Sequence, residues 1–216
     1  GETAATAPAP PLRDLVGNRS VRLAYIASGL QLFAAGALPA WLPSYFNRYY
    51  NLQVSHAGSL AGILLLISGT GMILCGMISD RLSRDHPERK VTLAMSYSLG
   101  SAVCIALALF MPPGTAQLVL LGLGMFMVAG TTGPVGAMLA NLTPLALHGS
   151  AFAMLTIANN FLGIAPGPIL TGRMADSMGL LGALRLLPLV CLAAGLIFAL
   201  LQRSYSSDLG LTAAKG

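Results

Sequence analysis

Charge is what this chain has least of. Asp, Glu, Lys and Arg together make up 9% of its 216 residues, and none of the four occurs from Val91 through Gly172. His148 is the only titratable group in that stretch besides Cys and Tyr. An uncharged run of this length excludes an ordinary water-facing surface; only lipid, or protein buried in lipid, accommodates it.

Cysteine is scarce as well. Cys75, Cys104 and Cys191 all lie inside apolar blocks, without metal-type spacing or polar ligands beside them. They read as small packing residues, with no disulfide and no metal site expected. The net charge of +5 raises the question of nucleic acid, yet Arg and Lys sit in short segments between apolar blocks and form no broad basic face. No nucleic-acid partner is expected. The opening GETAATAPAPPLRD lacks a basic stretch followed by an apolar core and a cleavage site, so it is not a secretory signal. Its Ala, Pro and Thr content reads as an extended linker over 1–19, continuing from something upstream.

What the chain does have is hydrophobic residues, 55% of the total. They fall into blocks at 20–46, 57–79, 91–112, 117–140, 149–175 and 180–202. Each is near the ~20 residues that a helix needs to cross ~30 Å of hydrocarbon. The expectation is an all-α polytopic membrane protein with six transmembrane helices over 20–202 and a tail over 203–216. With both termini cytoplasmic, that side receives Arg13, Arg19, Arg22, Arg81, Arg84, Arg89, Lys90, Arg203 and Lys215. Arg48, Arg173 and Arg185 fall outside, a bias that matches the positive-inside rule. Trp41, Tyr45, Tyr49 and Tyr50 cluster at the outer end of the first span, where such rings favour the membrane interface. Gly58 and Gly62, Ala129 and Gly133, and Gly163 and Gly167 place small residues four apart, a spacing that lets helices approach closely.

Several polar residues share one depth. Gln31 in the first span, Ser68 and Thr70 in the second, Thr131 and Thr132 in the fourth, and Asn159 and Asn160 in the fifth all fall near the bilayer midplane. Such groups need a neighbouring helix, a watery cavity or a ligand. Ser and Thr can bond their own helix's carbonyls, whereas an amide carries both donors and acceptors and is harder to satisfy locally. Asn159 and Asn160 are ~100° apart on a helix, so one of the two is expected to face a cavity. Pro39, Pro43, Pro134, Pro166 and Pro168 are expected to interrupt the first, fourth and fifth spans, and broken helices beside a midplane site recur in transporters. No embedded Gly-x-Ser-Gly accompanies a paired His, and the SGTG and GLG stretches follow no strand. No catalytic residue and no cofactor is therefore expected.

Gly76-Met-Ile-Ser-Asp80-Arg81-Leu-Ser-Arg84 resembles the G-x-x-x-D-R-x-G-R loop signature of the major facilitator superfamily, with Ser83 in place of Gly. Gly163-Ile-Ala-Pro-Gly167-Pro168-Ile-Leu-Thr-Gly172 is similar to that family's G-x-x-x-G-P-x-x-G-G stretch. Pro144-Leu-Ala-Leu-His148-Gly149 is similar to its P-x-x-x-R-G loop, with His148 replacing Arg. Gly172-Arg-Met-Ala-Asp176 resembles its G-x-x-x-D. The resemblance implies the carboxyl-terminal six-helix half of a secondary transporter, partnered by an amino-terminal six-helix half, in a bacterial inner or plasma membrane. It implies ion- or proton-coupled alternating access for a small organic solute, with Gln31, Ser68, Thr131, Thr132, Asn159 and Asn160 as cavity candidates. Gly76, Asp80, Arg81, Arg84, Pro39, Pro43, Pro134, Gly167 and Pro168 become gating candidates. Gly36-Ala-Leu-Pro-Ala-Trp41-Leu-Pro43-Ser-Tyr45 resembles the matching segment of spinster-like carriers of lysolipids and sphingolipids. Organic anions and drugs remain open as substrates, and so does a six-helix scaffold or self-assembling half-transporter.

Overall fold

The computed structural model describes residues 18–213, with side chains to Leu209. The linker expectation over 1–17, with Arg13, and the last residues, with Lys215, lie outside the described residues. Six helices long and apolar enough to cross a membrane account for the rest: α1 (Arg19–Tyr49), α2 (Val54–Leu82), α3 (Arg89–Phe110), α4 (Thr115–Leu142), α5 (Leu145–Met178) and α6 (Leu180–Leu209). The protein is an integral, multi-pass membrane protein, and no strand occurs among the described residues. α2 overruns its apolar block at both ends, so Asp80 and Arg81 belong to the helix and not to a loop. The helix of α6 likewise continues to Ala213, through the first part of the expected tail.

The prolines act unequally. Pro39 and Pro43 lie inside the uninterrupted α1, a correction to the expected break. Their missing N–H groups free one carbonyl each, but the helix is held on both sides of them by packing. Leu38, Leu42, Tyr45 and Phe46 are buried there, and the Trp41 indole N–H donates to the Pro168 carbonyl of α5 at 2.9 Å. In α4 the helix does break, between Gly130 and Thr132, one turn before Pro134. In α5 the turn before Pro166 widens into a π-type bulge over Asn160–Ile164, closed by Ala165 N–H donating to Asn160 O at 3.1 Å. Pro166 and Pro168 cannot supply the usual donors to the preceding turn, and the bulge takes up the mismatch.

Contacts follow a repeat. α1 packs on α5 and α6, α4 packs on α2 and α3, and α3 packs on α6. Exchanging the first three helices for the last three maps this pattern onto itself with direction reversed, an inverted-topology repeat. Both equivalent crossings depend on glycine. A Cβ on Gly133 would lie 2.9 Å from Gly76 Cα, which brings α2 against α4. A Cβ on Gly163 would lie 2.5 Å from the Gly29 carbonyl, which brings α5 against α1. Gly58 and Gly62, by contrast, meet nothing within 4 Å.

Side chains fasten the two ends. At one end, Asn18 caps α1 by accepting from Ser20 N–H at 2.8 Å, and Asp208 of α6 accepts from the Ser20 hydroxyl at 2.6 Å. At the other end, Gln117 of α4 donates to Tyr45 Oη at 2.8 Å and to the Ala108 carbonyl at 2.7 Å, while Tyr50 Oη donates to Gln117 Oε1 at 2.6 Å. The tyrosine cluster thus turns inward instead of lying wholly at the lipid headgroups, with Tyr45 only 2% exposed. Burial pushes the Tyr50 phenol above its usual pKa range, partly offset by its hydrogen bond at Gly114. Cys75 and Cys191 are buried and Cys104 is half-buried.

Candidate functional site

The six helices are covered very unevenly. Half of the most apolar stretch of α1 is buried, and the same holds for α4, against 22% for α2 and 17% for α5. α3 and α6 back the bundle, so α2 and α5 border a face on which no further helix lies among the described residues. The midplane candidates divide according to which side of that wall they occupy.

Gln31 points away from the open face. It is fully buried, its Nε2 donates to Ser101 Oγ at 3.0 Å, and its Oε1 accepts from Ser98 Oγ at 3.1 Å. Both ends of the amide are engaged by α3, so the side chain fastens two helices and is not available to a cavity. Depth along the helix, which singled it out, carries no information on azimuth. Thr131 is also buried and donates to its own Val128 carbonyl at 3.1 Å. Thr70 is exposed among Ile63, Leu66, Ile73 and Met77 and spends its hydroxyl on the Ile67 carbonyl at 2.7 Å.

Ser68 and Thr132 are half-buried, and their hydroxyls have no hydrogen-bond partner among the described residues. Asn160 is exposed and donates from Nδ2 to Thr156 O at 2.8 Å, leaving its Oδ1 open. Asn159 is half-buried, yet its Oδ1 is shielded from solvent with no partner among the described residues. An orphan of this kind costs about 1–3 kcal/mol unless something pairs with it. The bulge also hollows α5 itself, in a concavity of about 310 Å³ lined by Asn160, Phe161, Ala165, Pro166, Ile169 and Leu170. A second groove of about 370 Å³ lies between α2 and α4 and is apolar almost throughout, from Leu60 and Leu118 to Phe126.

Of the gating candidates, Gly76 and Gly167 lie at helix interfaces. Gly76 meets Gly133, and Gly167 approaches the Phe33 carbonyl of α1. Asp80, Arg81 and Arg84 are exposed and make no hydrogen bond or ion pair among the described residues. Ser83 closes α2 at φ −104° and ψ 8°, a conformation open to any residue, so this position does not need the glycine of the signature. His148 Nε2 lies 3.0 Å from Ala140 O and 3.1 Å from Thr143 O at the end of α4. Both partners are acceptors, so Nε2 carries the proton and His148 does the donating that an arginine would do.

Sequence reading missed Gln117, which stands at the first position of the fourth apolar block and carries no signal of its own. Arg185, placed on the outer side by the charge count, is tied into the bundle: its Nε donates to Leu109 O at 3.0 Å and its guanidinium sits 4.6 Å from the Phe110 ring centroid. No group of metal-ligating side chains occurs among the described residues.

The described residues form an all-α polytopic bundle of two three-helix repeats, with glycine-tight crossings and one open face. The sequence model of the Major Facilitator Superfamily matches residues 1–168, and the chain belongs to that family. It is 26% identical over 181 residues to the uncharacterized transporter YybO of Bacillus subtilis (strain 168), covering 79% of this chain and 40% of that protein. It is 30% identical over 158 residues to human protein spinster homolog 3, covering 67% of this chain and 31% of the relative. A probable L-galactonate transporter of Escherichia coli (strain K12) is 26% identical over 173 residues, covering 76% of this chain and 37% of the relative. The family is one of transporters and not enzymes, two of these relatives are named as transporters, and the chain spans 31% to 40% of the three relatives' lengths. In fold it resembles a bacterial homolog of the human lysosomal transporter Spinster, in an inward-facing and unoccupied conformation. The TM-score is 0.76 at 13% identity, covering 94% of this chain and 53% of that one. A peptide transporter, POT, gives a TM-score of 0.68 at 15% identity, covering 95% and 41%.

Proposed function

We propose that this chain is the carboxyl-terminal half of a secondary transporter that moves a small organic solute by alternating access. A second six-helix bundle, supplied by the amino-terminal half, packs against the face bordered by α2 and α5 and completes the path. The observation that carries this reading is the exposure of those two helices, together with Gly58 and Gly62 held at helix-packing spacing with nothing against them. The shorter span of the chain relative to its relatives supports it.

In this reading Ser68, Thr132 and Asn160 face the path, and Gln31 and Thr131 hold the wall behind it. Gly76, Gly167 and the prolines of α4 and α5 set how the bundle rocks. The exposed Asp80, Arg81 and Arg84 engage the partner bundle at the cytoplasmic surface, with both termini on that side of a plasma or bacterial inner membrane. The stretch from Val91 to Gly172 offers no carboxylate, so ion or proton coupling is assigned to the other half. The relatives span a probable sugar-acid carrier and a spinster homolog, so the substrate is taken from a panel of sugar acids, lysolipids and drugs. The test is uptake of that panel by full-length protein in proteoliposomes. Thr132→Trp and Ser68→Trp should stop transport of whichever solute is carried, and unchanged transport in both would remove the path from this face.

A further inference from the structure

The buried side-chain polar atoms that lack a partner among the described residues are Ser79 Oγ and Ser83 Oγ on α2 and Asn159 Oδ1 on α5, and all lie on or beside one stretch of chain. That stretch is the helical hairpin from Thr132 to Asn159. It is bounded by the break in α4 after Gly130 and by the bulge in α5 that starts at Asn160. His148 fastens its corner through the Ala140 and Thr143 carbonyls, and Gly136 lets the Phe152 ring close against α4, so the two arms form one unit. Beyond the break the bundle is pinned, since a side chain on Gly71 would run into the Phe126 carbonyl and one on Gly124 would lie 2.6 Å from Ile105.

α2 and α4 run side by side in the same direction. A Cβ on Gly130 would lie 2.7 Å from Cys75 Sγ, and one on Gly133 would lie 2.9 Å from Gly76 Cα. Ser79 follows Cys75 by four residues and Gly76 by three, so it projects between them one turn further along, toward the hairpin, and Ser83 repeats that direction a turn later. The two serines are 0% and 3% exposed. A helical serine ordinarily donates to the carbonyl four residues back. For Ser79 that carbonyl, on Cys75, already takes the Tyr97 hydroxyl of α3 at 3.4 Å; for Ser83 it is the Ser79 carbonyl, which takes the N–H that closes α2 at 3.0 Å.

We propose that Ser79 and Ser83 bias the Thr132–Asn159 hairpin toward opening away from α2, the hairpin swinging as a unit about the break and the bulge. This rests on the reading of the chain as half of a carrier, and it names two residues that set how readily that carrier opens at the Asp80 end. Seated against α2, the hairpin strips both hydroxyls of water and offers them no partner in exchange. Swung out, it admits water to the seam, and both hydroxyls are satisfied. The closed seat is weakened by that difference and the open one is not, so the pair shifts the equilibrium without touching solute.

The experiment compares Ser79→Ala, Ser83→Ala and Ser101→Ala in the full-length protein with Cys75, Cys104 and Cys191 replaced. Removing an unpaired hydroxyl strengthens the closed seat, so Ser79→Ala and Ser83→Ala should each raise Tm in detergent by about 1–2 °C. Thr132→Cys in vesicles reports on the seam, and a charged methanethiosulfonate reagent applied at the Asp80 end should modify it about five-fold more slowly with each substitution. Ser101 is buried too, but its hydroxyl is paired with Gln31 and with the Ser98 carbonyl. Ser101→Ala should therefore lower Tm and leave the labelling rate unchanged. The bias is overturned if either α2 variant lowers Tm, which would show that the hydroxyl is paired in the closed seat by trapped water or by the rest of the full-length chain. A raised Tm with unchanged labelling overturns it equally. If Thr132→Cys is unlabelled from both sides before any serine is changed, the carrier path fails and this inference with it; a labelled parent with unmoved variants sinks the bias alone.

Discussion

Gln31 of α1 and Ser101 of α3 are joined by a 3.0 Å hydrogen bond in the fully buried centre of the bundle, and Ser98 closes the other side of the amide. Ser101 can fall back on its own helix, since its hydroxyl also donates to the Ser98 carbonyl at 2.8 Å. Gln31→Leu should therefore cost less than Gln31→Ala, which also opens a cavity. The expected losses are about 1 kcal/mol and about 2–3 kcal/mol, read as Tm of the detergent-solubilised protein, with KM for transport unchanged in both. A KM effect without a stability effect would return Gln31 to the path.

His148 holds the carboxyl-terminal end of α4 through two carbonyls, the place where a helix also favours positive charge. His148→Ala should lower stability by about 1–2 kcal/mol, because those carbonyls lose their donor. His148→Arg should retain it, since a guanidinium offers several N–H groups in the same direction. Thermal unfolding of the two variants side by side decides this; equal losses would mean that the ring is held by packing alone.

The glycines should separate by partner. Gly163→Val would drive a side chain into the Gly29 carbonyl and Leu32, so the protein should fail to fold or lose several kcal/mol. Gly58→Leu and Gly62→Leu meet nothing in the six-helix bundle. They should leave the helix content and folding of the isolated bundle intact while slowing transport in the full-length protein at least ten-fold. Circular dichroism of the bundle together with uptake by the whole protein tests both halves of this expectation.

Gln117 and Tyr50 make a further, pH-dependent case. The folded pKa of Tyr50 lies above its unfolded value, chiefly through burial. The associated stability is present below the ordinary tyrosine range and is lost as pH rises through the folded value. Tyr50→Phe should flatten that alkaline loss, and Gln117→Ala should cost about 2 kcal/mol at neutral pH by orphaning Tyr45 and the Ala108 and Met111 carbonyls. Melting curves across pH 8 to about 11 measure the slope.

Much of the fold was legible because the bilayer imposes strong rules. The uncharged run from Val91 to Gly172 and the spacing of the apolar blocks set helix number, and Pro166 with Pro168 marked where α5 departs from regular geometry. Pro39 and Pro43 misled because tertiary packing around Leu38, Leu42 and Phe46 holds α1 together across them. For the site the sequence offered only position along each helix. Gln31, Thr131 and Asn160 were expected at one level, yet the first two face other helices and the third faces outward. Azimuth depends on which helices pack together, and a helix such as α1, apolar on nearly every side, does not reveal it. Asn159 and Asn160 did divide as adjacent helical positions must, one half-buried and one exposed.

The most direct measurement is cysteine accessibility in the full-length protein, in a background where Cys75, Cys104 and Cys191 are replaced by serine or alanine. A charged methanethiosulfonate reagent should label Thr132→Cys and Asn160→Cys through water. Added solute should protect both, and the fully buried Ser101→Cys should remain unlabelled. Labelling of Ser101→Cys, or no labelling of Thr132→Cys and Asn160→Cys from either side of the membrane, would contradict a transport path on the face bordered by α2 and α5.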